Sequence, residues 1–77
     1  MEMTTVPSFV IETDHQDFPK HVTKADNRAE AIQNFVNRMD RRWPKHTVVQ
    51  RGFLLAWDIT SAKGHIVDYV QASVVTK

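Results

Sequence analysis

The chain has 77 residues, no cysteine, two glycines, three prolines and a net charge of +1. That length supports one domain around a single core, spanning residues 1–77, and the lack of cysteine excludes a disulfide framework or a thiolate metal site. No apolar run approaches the roughly 20 residues of a membrane helix, and the start, MEMTTVPSFVIE, lacks the regions of a signal peptide, so a cytoplasmic protein is expected.

Residues 8–13 (SFVIET) follow Pro7 and combine β-branched with aromatic side chains, which predicts a first strand. Residues 14–19 (DHQDFP) place two Asp and a Pro around one aromatic and read as a turn. Residues 20–25 (KHVTKA) complete a hairpin. A helix then opens at Asp26 or Asn27. With Asn27 as N-cap, Glu30 falls at the third helical position and forms a capping box. Ala29, Ile32, Phe35, Val36, Met39 and Trp43 recur at steps of three and four and define one apolar face. Arg38 and Arg41 fall opposite it with Glu30, Asn34 and Asn37, while Arg42 lies at the flank. Pro44 ends the helix, because it cannot donate to the helical ladder and it restricts Trp43 before it.

Beyond Pro44 the pattern becomes extended. Residues 46–51 (HTVVQR) predict a strand, which Gly52 either bends or turns into a tight hairpin. Residues 53–60 alternate, with Phe53, Leu55, Trp57 and Ile59 on one face. Residues 61–64 form a turn with Gly64 suited to a left-handed position, and residues 65–75 form the last strand. The assembled expectation is an α+β fold: an antiparallel sheet of four to five strands with one helix on one face, in the order β-β-α-β-β with an extra strand. Its core joins Ile32, Phe35, Val36, Met39 and Trp43 to Phe9, Ile11, Leu55, Trp57 and Ile59.

One helix covers one face, yet the last strands are apolar on both. Leu54 and Ala56 oppose the Phe53–Ile59 set, and Val67 and Tyr69 oppose Ile66 and Val70. Leu54, Val67 and Tyr69 are therefore candidates for an apolar interface, and residues 65–75 for an exposed edge that pairs with another strand. Two arrangements would cover that face: a homodimer, or a monomer whose amino-terminal segment, with Met1, Met3 and Val6, folds back over it.

Charge is distributed unevenly. Residues 1–19 hold four carboxylates and no Lys or Arg, whereas residues 20–51 hold eight Lys or Arg against three carboxylates. Such asymmetry steers an acidic partner toward one side of a domain. The candidate partner-binding residues are Arg38, Arg41, Arg42, Lys45 and Arg51, with Asn34 beside them, since Arg makes bidentate, charge-assisted bonds at interfaces. The same cluster with His46 could instead meet phosphates. A nucleic-acid-binding module is thus the alternative, although Trp43 on the core face is badly placed to stack on a base.

Catalytic signals are weak. His15, His21, His46 and His65 lack the helical spacing and cysteine company of zinc sites. His15 with Asp14 or Asp17, and His65 with Asp68, could be drawn as acid–base couples, but each sits at a turn or strand end where such groups are solvated. With no phosphate loop, nucleophile elbow or cysteine nucleophile, the expectation is a non-enzymatic protein with no metal and no cofactor.

The run KADNRAEAIQNFVNRM, followed by TVVQRGFLLAWDI and a Gly hairpin, resembles the layout of small phage-encoded inhibitors. Several anti-CRISPR proteins of this size share a β-β-α-β-β arrangement with such a helix opening after a short second strand. The resemblance spans residues 9–71 and lies in element order and texture. It implies a protein that blocks a host protein or nucleoprotein complex, such as a CRISPR surveillance complex, by occupying its surface. The acidic hairpin loop with Phe18 and the longer final strand depart from that layout. No functional position carries over.

Overall fold

The computed structural model describes residues 6–76. Its elements are β1 (Ser8–Thr13), β2 (Lys20–Lys24), α1 (Arg28–Arg42), β3 (Thr47–Gln50), β4 (Ala56–Thr60) and β5 (Ile66–Thr76). The fold is α+β, with five antiparallel strands in the order β2-β1-β5-β4-β3 and the helix packed on one face. Met1 and Met3 lie outside the described residues, and Val6 is exposed. Among the described residues, no helix is long and apolar enough to cross a membrane.

β5 decides the topology. It is 11 residues long and serves two half-sheets, pairing with β1 through residues 72–76 and with β4 through residues 66–71. The last strand is therefore central in the strand order, with β2 and β3 outermost, although among the described residues each half of β5 pairs with one strand only. The cause is non-local. Setting Ile11 opposite Val74 and Trp57 opposite Val70 puts both pairs on the helix side, where they join one cluster. Opposite Ile59 and Thr60 the register slips from Asp68 to Ile66, so Val67 is the extra residue of a bulge.

The helix begins where its cap dictates. Asn27 is extended, and its Oδ1 accepts the Glu30 N–H at 2.9 Å. The Glu30 carboxylate returns to the Asp26 N–H at 3.4 Å, one residue earlier than the reciprocal capping box requires. At the other end, the Trp43 N–H donates to the Met39 carbonyl at 2.9 Å before Pro44 stops the ladder. Ala31, Phe35 and Met39 form the fully buried stripe, with Ile32 and Val36 packed beside it. Ala29, expected on the apolar face, lies one step round from that stripe and is exposed.

Two phenylalanines exchange the places that local pattern assigns them. Phe18, in the predicted turn, is buried at 3 % exposure, its ring 5.6 Å from both Phe35 and Trp43. Phe53, predicted in the core, is 105 % exposed. The reason is that β4 starts only at Ala56. Residues 51–55 instead form a loop closed by Arg51 N–H to the Ala56 carbonyl at 2.8 Å and Leu54 N–H to the Arg51 carbonyl at 3.1 Å. Gly52 makes that loop accessible, with a φ of 57° that a side chain would strain. Leu55 keeps its expected place against the core.

Candidate functional site

Three side chains one helical turn apart tie α1 to the first hairpin. Asn34 Nδ2 donates to Thr23 Oγ1 at 2.9 Å, Arg38 Nη1 to His21 Nδ1 at 2.9 Å, and Arg42 Nε to Asp17 Oδ2 at 2.8 Å. Residues at i, i+4 and i+8 share one side of a helix, and alternate residues of a strand share one face. Thr23 and His21 therefore meet successive rungs, and the loop before β2 supplies Asp17. Of the six candidate partner-binding residues, Asn34 thus has its amide engaged within the fold.

His21 has a defined state in this ladder. Guanidinium can only donate, so His21 Nδ1 accepts and the neutral ring carries its proton on Nε2. Burial, then the charges of Arg38 and Arg41, push the His21 pKa below its ordinary value. Nε2 is buried and has no hydrogen-bond partner among the described residues, which costs free energy.

Arg38, Arg41 and Arg42 border an open groove of about 540 Å³ together with Asp17, Phe18 and His21. Arg38 lies over the Phe18 ring at 5.3 Å, and Arg42 lies 5.5 Å from the Trp43 ring. Stacking plus one hydrogen bond fixes each guanidinium while most of its five N–H donors stay free. Arg41 and Lys45 are exposed, and among the described residues no hydrogen bond or ion pair engages either side chain. The Arg42–Asp17 pair, 53 % and 32 % exposed at its side chains, contributes at most about 1 kcal/mol to stability.

Arg51 does not join this group. Its Nε bonds Asp58 Oδ2 at 3.0 Å, and its guanidinium lies 5.1 Å from the Tyr69 ring. Asp58 and Tyr69 are paired across β4 and β5 on the face opposite Trp57 and Ile59, so Arg51 sits on the helix-free side of the sheet. The Asp58 hydrogen bond and charge raise its pKa further. Leu54, Val67 and Tyr69 are exposed at 64, 52 and 39 %. Tyr69 is on the helix-free face, Val67 is the bulge residue, and Leu54 belongs to the loop before β4.

The acid–base couples drawn from sequence are paired differently. His15 bonds Asp68 through Nε2 at 2.9 Å, and its Nδ1 accepts the Asp17 N–H at 3.1 Å. Both ring nitrogens are spent, and the ring is wedged 5.4 Å from Phe18 and from Trp43. Asp68 thereby pins the first hairpin loop to β5, and His65 is left exposed beyond it. Burial opposes ionisation of Asp68, but bonds from His15 and the Tyr69 N–H, with the charges of His15 and Arg42, outweigh it and leave the pKa lowered. Among the described residues, no three His, Asp or Glu side chains converge in a way that could hold a metal ion.

Sequence reasoning missed Phe18 and His15 as the fixtures of this corner. Their signal was the pairing of an aromatic with a histidine inside an otherwise polar turn. No protein-family model, characterised protein or solved structure matches the chain.

Proposed function

We propose that this is a small non-enzymatic binding protein that captures a carboxylate-rich protein surface through Arg38, Arg41, Arg42 and Lys45. The observation that supports this reading is preorganisation. Arg38 and Arg42 are held by His21, Asp17 and two aromatic rings at the edge of an open groove. A partner carboxylate then meets guanidinium forks whose side-chain entropy is already spent. The groove is open rather than enclosed, which suits a surface partner better than a small molecule. In order and texture the sequence of residues 9–71 resembles phage-encoded inhibitors of the anti-CRISPR type. On that reading the partner is a host protein or nucleoprotein complex, for instance a CRISPR surveillance complex, met in the host cytoplasm.

The same donors fit phosphate, but the groove lacks what single-stranded nucleic acid uses best. Phe18 and Trp43 are buried at 3 and 8 % exposure, so neither offers a stacking platform. The experiment is a pull-down of tagged protein from bacterial lysate with and without nuclease, using wild type and Arg41→Glu/Lys45→Glu. Arg38 is unsuited as the probe, because its loss also cuts the His21 bond. A stoichiometric protein partner that survives nuclease, and that binds the double variant about tenfold or more weakly, is the expected result. Recovery of nucleic acid with proteins lost on nuclease treatment, or a partner indifferent to the double variant, would overturn it.

A further inference from the structure

His21 lines the arginine groove without a carboxylate of its own. It stands in β2 directly opposite Ile11 of β1, on the face that α1 covers. From α1 it meets Arg38, whose Nη1 lies 2.9 Å from Nδ1, the Phe35 ring at 5.7 Å, and the charge of Arg41. From the hairpin loop, Asp17 is the one carboxylate lining the groove, and its Oδ2 accepts from Arg42 at 2.8 Å. Lys20 and Glu12 are paired one position along β2, so they project from the opposite face of the sheet. A half-buried imidazole is thus set among guanidiniums, and among the described residues no carboxylate bonds it.

We propose that His21 makes capture at this groove proton-coupled: a carboxylate seated between Arg38 and Arg41 turns the ring to imidazolium, so binding tightens as pH falls below neutrality. This rests on the reading of the groove as a carboxylate site and adds its regulation. The coupling follows from donors and acceptors. A guanidinium cannot accept, so the Arg38 bond exists only while Nδ1 keeps its lone pair. A proton taken from solvent onto Nδ1 ends that bond and sets two cations side by side. Without an anion this is unfavourable, in line with the lowered pKa of His21, caused by burial first and then by the charges of Arg38 and Arg41. A carboxylate placed there offsets both guanidiniums and accepts from Nδ1–H. It also takes the Arg38 N–H that the neutral ring had engaged. Proton uptake and anion binding therefore favour each other, and linkage makes one unit of upward movement in the His21 midpoint equal to about tenfold in affinity. Near neutrality the ring instead holds Arg38 in place, so the groove works through fixed arginines and gains a further cation on acidification.

The test is an NMR titration of the histidine ring protons of the full chain between about pH 7.5 and 5, in sulfate and in chloride at equal ionic strength. Sulfate is the probe because it keeps its charge across that range, which a glutamate-rich peptide does not. The His21 midpoint is expected to lie about 0.5 or more higher in sulfate, with sulfate bound about threefold or more tightly at the acid end than at the neutral end. The exposed ring of His65, in the turn before β5, is the control for the change of salt. His21→Gln should bind sulfate with no such pH dependence, and the wild-type midpoint decides the matter should that variant fail to fold. Sulfate that perturbs the Arg41 and Lys45 amides but leaves the His21 midpoint where chloride puts it overturns the proton coupling and leaves the groove standing. Absence of any sulfate response at those amides overturns the inference as well, and capture of a protein partner is then judged by the pull-down alone.

Discussion

Replacing Phe18 by Ala and Phe53 by Ala tests the arrangement of the core with one substitution chemistry at two sites. Phe18 is 3 % exposed and contacts the rings of His15, Phe35 and Trp43 at centroid distances of 5.4, 5.6 and 5.6 Å. Returning a buried Phe to water costs about 1.5–3 kcal/mol, and the cavity left among rigid rings raises the loss to about 3–5 kcal/mol. A 77-residue domain has a total stability of about 4–12 kcal/mol at typical values per residue. Phe18→Ala therefore removes a quarter or more of it. Phe53 is 105 % exposed, so Phe53→Ala should change the stability of the monomer by less than about 0.5 kcal/mol. The assay is urea denaturation followed by tryptophan fluorescence, which reports Trp43 and Trp57 in the same core. It is run at a concentration well below any self-association. A Phe18→Ala loss under about 1 kcal/mol, or a Phe53→Ala loss above it, would refute the assignment of the first hairpin loop to the core.

Three further outcomes are expected. Asn27→Ala removes the acceptor for the Glu30 N–H and should cost about 1 kcal/mol in the same denaturation assay. His21 titrates below its ordinary value of 6.5 in the folded chain, so the unfolded state takes up its proton first. Stability is then constant above that value and falls as pH drops through the window beneath it, and a neutral His21→Gln should flatten the fall in melting temperature between about pH 7 and 5. Asp68 has the depressed pKa of a carboxylate held by donors. Its contribution is present above the ordinary carboxylate value and lost as pH falls through the lowered one. Asp68→Asn should therefore show a shallower acid loss than wild type below about pH 4.

Local chemistry makes much of this fold legible, and its limits are physical. The helix is readable from Asn27, Glu30 and Pro44 because caps and breakers act within a few residues. β1 is readable because Ser8–Thr13 has a strand composition bounded by a proline and a turn. Strand order is not readable, since β1 and β5 meet across some sixty residues and only the joint burial of Ile11 and Val74 chooses that pairing. Phe53 is misplaced by assuming that alternation begins there, directly after Gly52, when the loop that the positive φ of Gly52 allows delays β4 to Ala56. Phe18 is missed because a turn composition hides a side chain whose partners all lie elsewhere in the chain.

The arginines carry the deeper ambiguity. Spacing along α1 sets Arg38 and Arg41 opposite the apolar face with Asn34 and puts Arg42 at the flank, and polar residues so placed can face either solvent or the chain's own first hairpin. The structure spends one bond each of Asn34, Arg38 and Arg42 on Thr23, His21 and Asp17, which no periodicity could reveal. Those bonds do not remove the residues from function. A guanidinium fixed by one bond and one ring keeps donors for a second acceptor, whereas a free arginine must lose rotamer entropy first. The residues that hold the helix to the hairpin are thus the ones that preorganise the groove. Affinity changes from altering them mix stability with recognition, and Arg41 and Lys45 are the positions where recognition can be measured alone.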